Sequence, residues 1–86
     1  MTNQELLESV EGLKKKIISG IIRMTDQAGL GTFTEASVVP DELGYYVRVR
    51  NEAGKTFYFC IDDDNFVVMV RSDSPSGKIL FMPIDD

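Results

Sequence analysis

The residues that could carry chemistry are few in this chain of 86 amino acids. The sequence has no histidine, so it lacks the commonest general base and the commonest protein ligand for metals. The single cysteine, Cys60, therefore has no histidine to activate it as a nucleophile, and it cannot form an intrachain disulfide. We interpret Cys60 as a small packing residue with a neutral thiol, because its expected neighbours are apolar.

One acidic cluster lies within the expected fold, at Asp62–Asp64, and Asn65 follows it. A calcium loop that began at Asp62 would need glycine at its sixth position and glutamate at its twelfth. Those positions hold Val67 and Asp73, so the calcium motif is not met. We interpret the cluster as a hairpin turn, because Asp and Asn favour turns.

Two other stretches invite a functional interpretation. Lys14–Lys16 is a short basic run, which in an acidic chain is typical of a solvated helix flank. Gly29–Gly31 lacks the spacing and the strand context of a phosphate-binding loop. We therefore predict no catalytic residue, no metal site and no cofactor, and we expect that the protein is not an enzyme.

The N-terminal part of the chain predicts one amphipathic helix over residues 3–28. Apolar residues recur there at spacings of three and four, which is typical of one helix stripe. The stripe consists of Leu6, Val10, Leu13, Ile17, Ile21 and Met24. Thr2 and Glu5 have the spacing of a capping box, and Gly29 is typical of a helix end. Gly20 lies near the stripe, where we expect it to allow close approach of a sheet.

The remaining residues predict consecutive antiparallel strands. They are expected over residues 32–39, 45–51, 55–62, 65–71 and 78–83. The strand over 32–39 is expected at the edge, beside 45–51. The sequence therefore predicts a single α+β domain over residues 1–86, in which one N-terminal amphipathic helix packs on a 4–5-stranded antiparallel meander sheet.

Turn chemistry predicts how the strands pair. Residues 51–54 suit a three-residue hairpin loop that ends in a left-handed glycine, and counting back from it pairs Val47 with Phe59. A four-residue turn at 62–65 would pair Ile61 with Phe66. Because side chains alternate along a strand, this pairing separates two faces of the sheet.

One predicted face is aromatic and β-branched and is expected to lie under the helix. The outer face has an apolar centre, whereas a one-sided sheet usually carries charged residues there. We expect an interface at this face, formed by Tyr46, Arg48, Tyr58, Val67, Met69, Leu80 and Met82. The alternative is that residues 31–39 or an overhanging end of the helix cover it.

These features favour a small non-catalytic protein–protein interaction module, an inhibitor or an accessory protein, that forms a homodimer through the outer sheet face. Two alternatives stay open, namely a small-ligand carrier with a pocket between helix and sheet, and an accessory subunit of a larger enzyme. The net charge of −5 disfavours a nucleic-acid partner.

The same sequence favours a cytoplasmic location. Glu5, Glu8 and Glu11 occupy the region where a secretory signal would be apolar. No stretch is apolar for long enough to span a bilayer, so we expect no membrane partner.

Overall fold

The computed structural model describes residues 2–41 and 44–82 and shows an α+β fold, in which helices pack on one antiparallel sheet. The helices are α1 (Asn3–Glu8) and α2 (Lys15–Ala28). The strands are β1 (Phe33–Asp41), β2 (Gly44–Asn51), β3 (Thr56–Ile61), β4 (Val67–Ser72) and β5 (Ile79–Phe81). Neighbouring strands in the sheet are consecutive in the chain, so the predicted meander is confirmed.

The prediction of one continuous helix over residues 3–28 is wrong, because the chain leaves the helical path between α1 and α2. Gly12 has φ +83°, in the left-handed region that a helix interior does not contain. An unbroken helix would be about 39 Å long, whereas the molecule measures 30 Å along its longest axis. The break lets α1 pack against β1 while α2 packs against β4 and β5.

Both predicted ends of the helical region are confirmed. The Glu5 backbone N–H donates to Thr2 Oγ1 at 3.1 Å, and the Thr2 N–H donates to Glu5 Oε1 at 3.1 Å. The bond from the Thr2 backbone is the main reason why the pKa of the Glu5 carboxyl lies below its ordinary value. Gly29 ends α2 with φ +65°, and the Leu30 N–H donates to the Thr25 carbonyl at 3.1 Å.

The first hairpin has the predicted register. Gly54 is left-handed with φ +82°, and the Asn51 N–H donates to the Lys55 carbonyl at 2.9 Å. Val47 consequently lies opposite Phe59. The three-residue loop therefore fixes which side chains of β2 and β3 share a face.

The second hairpin differs from its prediction, because it uses the same kind of three-residue loop and not a four-residue turn. Asn65 takes the left-handed position with φ +66°, and the Asp62 N–H donates to the Phe66 carbonyl at 3.0 Å. Ile61 then lies opposite Val67, and the predicted pair of Ile61 with Phe66 is wrong. Asn tolerates the left-handed region better than other non-glycine residues, which permits this loop.

A bulge lies next to this turn, where the register shifts between the pairs Cys60–Met69 and Ile61–Val67, and it rotates the start of β4. Val67 consequently packs against the core, beneath α2. A Cβ atom added to Gly20 would lie 2.8 Å from Val67 Cγ2, so Gly20 allows the helix to approach the sheet here. The predicted role of Gly20 is confirmed.

The core lies between the helices and the sheet face beneath them, which we call the helix-side face. Its buried strand residues are Phe33, Val47, Val49, Phe57, Phe59 and Val70. Phe33 from β1 meets Phe59 edge to face, with ring centroids 6.3 Å apart. Phe66 and Ile79 have the apolar character of core residues, but they are 54% and 39% exposed.

Candidate functional site

The candidate site is the sheet face turned away from both helices, which we call the open face. Val47 and Val49 are buried beneath the helices, so their neighbours on β2 point to the opposite side. Alternation and pairing give its members as Glu35, Ser37, Val39, Tyr46, Arg48, Arg50, Thr56, Tyr58, Cys60, Met69, Arg71 and Ile79. Because β1 pairs edge-on with β2, the alternative in which residues 31–39 cover this face is wrong.

The first row of side chains across the open face, the apolar row, joins four strands. Its members lie opposite one another in the order Val39, Tyr46, Cys60 and Met69. All of them are half-buried. The Tyr46 ring also meets the Tyr58 ring of the next row edge to face, with centroids 6.4 Å apart and an interplanar angle of 85°. The row therefore places a valine, an aromatic ring and two sulfur-containing side chains next to one another across the sheet.

The second row, the arginine row, has a tyrosine between two arginines. Its members in strand order are Ser37, Arg48, Tyr58, Arg71 and Ile79. Arg48 is exposed, whereas Arg71 is half-buried and donates from Nη1 to the Gly77 carbonyl at 2.8 Å. The loop after β4 thus holds one of the two guanidinium groups in place.

That loop depends on close backbone packing. A side chain at Gly77 would collide with the backbone carbonyl of Ser72. The loop also reaches onto the open face, where Pro75 lines a recess of about 210 Å³ together with Tyr46 and Met69. The recess gives the apolar row a concave margin.

The third row mixes both signs of charge. It contains Glu35, Arg50 and Thr56, and Asp73 extends it because its N–H donates to the Thr56 carbonyl at 3.0 Å. A shallow depression of about 480 Å³ lies between this row and the arginine row. The open face therefore grades from apolar at one end to charged at the other.

The structure brings most of the predicted interface residues together. Tyr46, Arg48, Tyr58 and Met69 lie on the open face as predicted. The placement of Val67 there is wrong, because the bulge in the second hairpin turns it into the core.

The last two predicted interface residues lie near β5. A register shift between Val70 and Arg71 disturbs the pairing of β4 with β5. Leu80 lines a groove on the helix side and does not belong to the open face. Met82 follows the end of β5 and is 52% exposed. The same bulge places Ile79 opposite Arg71, on the open face.

Sequence reasoning also missed Val39 as a member of the site. The register of β1 shows that Glu35, Ser37 and Val39 share the open face, whereas Ala36 packs against the core. The alternation in this segment is weak because Val38 and Val39 are adjacent valines. Pairing with β2 shows that Val39, and not Val38, belongs to the open face.

The acidic cluster forms a hairpin turn, as the sequence predicts, although the loop has three residues and not four. The Asp62 carboxylate accepts backbone N–H groups from Asp64 at 3.0 Å and from Phe66 at 2.9 Å. Within residues 2–41 and 44–82, no three Cys, Asp or Glu side chains are grouped closely enough to hold a metal ion.

A second concave surface lies on the helix side, where α2 ends beside β5. This groove has a volume of about 480 Å³. Its apolar lining comes from Ala28, Leu30, Phe57, Leu80 and Phe81. Lys55 and Asn51 stand at the same groove, and Asn51 Nδ2 already donates to the Leu30 carbonyl at 3.0 Å. The groove is the structural feature closest to the expected pocket between helix and sheet.

Comparisons with known proteins add no relative. No family model, no curated protein and no solved structure matches the chain. In the described part of the chain, neither helix has the length and apolar character needed to cross a membrane.

Proposed function

We propose that this protein is a small non-catalytic interaction module, an inhibitor or accessory protein, that binds another protein through its open face. The observation that carries the proposal is the apolar row, which lies outside the cover of both helices and next to Tyr58 and the arginines. Contiguous apolar surface rimmed by polar groups is typical of protein contacts. Tyrosine and arginine are enriched among the residues that dominate binding energy.

A second copy of the chain is one partner that this face could take, as the sequence led us to expect. If Tyr46, Tyr58 and Met69 each lost about 50 Å² of apolar exposure in both copies, the gain would be about 7.5 kcal/mol at about 25 cal/mol per Å². Association itself costs at least about 4 kcal/mol. Apolar burial alone therefore supports only a weak dimer, and a tighter complex needs directional polar contacts.

Met69→Glu tests the use of the open face. A carboxylate at the centre of a dry contact must lose its water, so we expect the variant to stay folded and to lose association. Phe66→Glu is the matched control, because Phe66 is 54% exposed and was not found on the open face. Analytical ultracentrifugation and circular dichroism give the readouts. A wild type that self-associates, together with a folded Met69→Glu variant that associates equally well, would refute the proposal.

The helix-side groove favours a second candidate function, a small-ligand carrier. Its volume of about 480 Å³ lies within the range of roughly 300–1,000 Å³ that is usual for ligand sites. We expect apolar ligands to raise the unfolding temperature of the wild type but not of Leu80→Glu. The same ligands should stabilise Met69→Glu as well as they stabilise the wild type. A panel without any stabilising ligand would remove this candidate.

The proposal includes the cytoplasmic location expected from the sequence. The sequence has one cysteine, so the fold does not depend on an intrachain disulfide, and this fits a reducing compartment. Fractionation of cells that produce the full chain tests this part, and recovery outside the cytoplasm would contradict it.

A further inference from the structure

The open face differs in charge from the chain as a whole. The chain has 14 acidic and nine basic residues, and its net charge is −5. Three of its four arginines nevertheless lie on the open face, namely Arg48, Arg50 and Arg71. The carboxylates beside them are those of Glu35 and Asp73. The arginine row itself contains two guanidinium groups and no carboxylate, so the middle of the open face is locally positive on an acidic protein.

The arginine row has the geometry of a clamp for an anionic group. Arg48 lies directly opposite Tyr58, and Tyr58 lies directly opposite Arg71. Residues opposed in this way have Cα atoms about 5 Å apart, so two guanidinium groups flank one phenol ring. Arg71 is already held by the Gly77 carbonyl at 2.8 Å. Arg48 is exposed and forms no ion pair with any residue in the described ranges.

We infer, on the basis of the proposed function, that the open face binds an acidic extended segment of a protein partner. A carboxylate of that segment lies between Arg48 and Arg71, over Tyr58, and accepts charge-assisted hydrogen bonds from both. An apolar side chain of the same segment packs on Tyr46 and Met69 of the apolar row.

The spacing of the rows defines the segment. Tyr46 and Arg48 are two residues apart on β2, which separates the apolar row from the arginine row by about 7 Å. An extended chain has the same separation between side chains at i and i+2. The segment therefore carries an acidic residue and an apolar residue at positions i and i+2.

Charge also decides against a second copy as the occupant. A two-fold dimer brings the same surface together from both chains. The arginine row has two arginines and no carboxylate, so two such rows in contact would place like charges together. Like charges that face each other oppose association, whereas an acidic segment complements the face.

The test uses three blocked synthetic peptides that differ at one position. The first has glutamate and leucine two residues apart, the second has glutamine in place of glutamate, and the third has lysine there. Amide NMR spectra of the full chain are recorded during titration at low and high salt. We expect only the glutamate peptide to shift the resonances of Arg48, Tyr58 and Arg71, and we expect salt to weaken it.

Arg48→Gln identifies the clamp, and Lys14→Gln is its matched control. Both substitutions remove one positive charge from an exposed residue, but Lys14 precedes α2 and is remote from the open face. Loss of one charge-assisted contact should weaken binding of the glutamate peptide about tenfold in Arg48→Gln. Lys14→Gln should bind like the wild type.

The outcomes separate this inference from the proposed function. Equal affinity for all three peptides, or equal loss in both variants, would overturn the acidic segment. Self-association that Met69→Glu abolishes, without selective binding of the glutamate peptide, would keep the proposed function and overturn this inference. Absence of both self-association and peptide binding at the open face would overturn both.

Discussion

The helix-side face and the open face are built by alternate residues of the same strands, yet they differ in what covers them. Val47 is completely buried beneath the helices, whereas the next residue, Arg48, is exposed. Phe59 is completely buried, whereas its neighbours Tyr58 and Cys60 are half-buried. Burial on one side stabilises the fold, and partial exposure on the other side leaves apolar groups available for contact.

The comparison shows how a small acidic chain can combine a core with a contact surface. Helices α1 and α2 pack on one side of the sheet only. A chain of this size has a thin core, because small domains bury a smaller fraction of their surface. Substitutions on the two faces should therefore have different effects, with stability lost on one and association lost on the other.

The largest expected difference comes from truncating one large side chain on each face. Phe59→Ala should lower the free energy of unfolding by about 3–5 kcal/mol, because it leaves a cavity at the centre of the core. Met69→Ala on the open face should cost about 1 kcal/mol or less. Chemical denaturation of both variants measures the difference. Similar losses would show that the open face is also core.

The contact between α2 and β4 is the next point to test. Gly20→Ala should lower the free energy of unfolding by about 1–2 kcal/mol, because overpacking against Val67 outweighs the better helix propensity of alanine. Val67→Ala should remove the clash, so Gly20→Ala should stabilise the protein in that background. A stabilising Gly20→Ala in the wild type would show that the helix lies farther from the sheet.

Substitutions in the turn of the second hairpin should have a smaller effect on the free energy of unfolding. Asn65 has φ +66°, and a residue without a polar side chain tolerates this region less well. Asn65→Ala should cost about 1 kcal/mol, whereas Asn65→Gly should change the free energy of unfolding little. Thermal unfolding compares the two variants, and equal stability of both would contradict the left-handed conformation at position 65.

The smallest effect is expected at the start of α1, outside the sheet. Because the pKa of the Glu5 carboxyl is lowered in the folded protein, its ionised form stabilises the fold at neutral pH. This stabilisation is lost as the pH falls from the ordinary pKa of glutamate through the lowered value. Glu5→Gln should therefore be slightly less stable than the wild type at neutral pH and equal to it in acid. If the free energies of unfolding of wild type and Glu5→Gln differed by the same amount at every pH, a stabilising role of the capping box would be contradicted.

Local rules were sufficient for much of the fold. Gly54 at the end of a three-residue loop determined the register of the first hairpin, and the capping box of Thr2 with Glu5 placed the start of α1. These features involve residues close in sequence and one dominant conformational preference. The α+β class and the order of the strands followed from the same patterns.

Features that depend on tertiary packing were not predictable in this way. Asn65 can adopt either turn geometry, and only the observed pairing of Asp62 with Phe66 shows which is used. From the sequence alone, Gly12 resembles a glycine that a helix interior tolerates. Only the short sheet, on which one long helix does not fit, shows that the helix ends before it. Bulges moved Val67 and Leu80 off the expected interface, and no residue pattern in these strands marks a bulge.

Pro40 on the edge strand β1 limits how copies of this protein can polymerise. The Asn51 N–H points toward β3. Backbone hydrogen-bonding groups alternate in direction along a strand, so those of Tyr45 also point toward β3 and not toward its partner Pro40. The backbone of Pro40 therefore points to the free edge of the sheet. Proline has no N–H to offer an added strand. The opposite edge, β5, is short and disturbed by a bulge. Pairing with a strand of another copy is therefore disfavoured at both edges of the sheet.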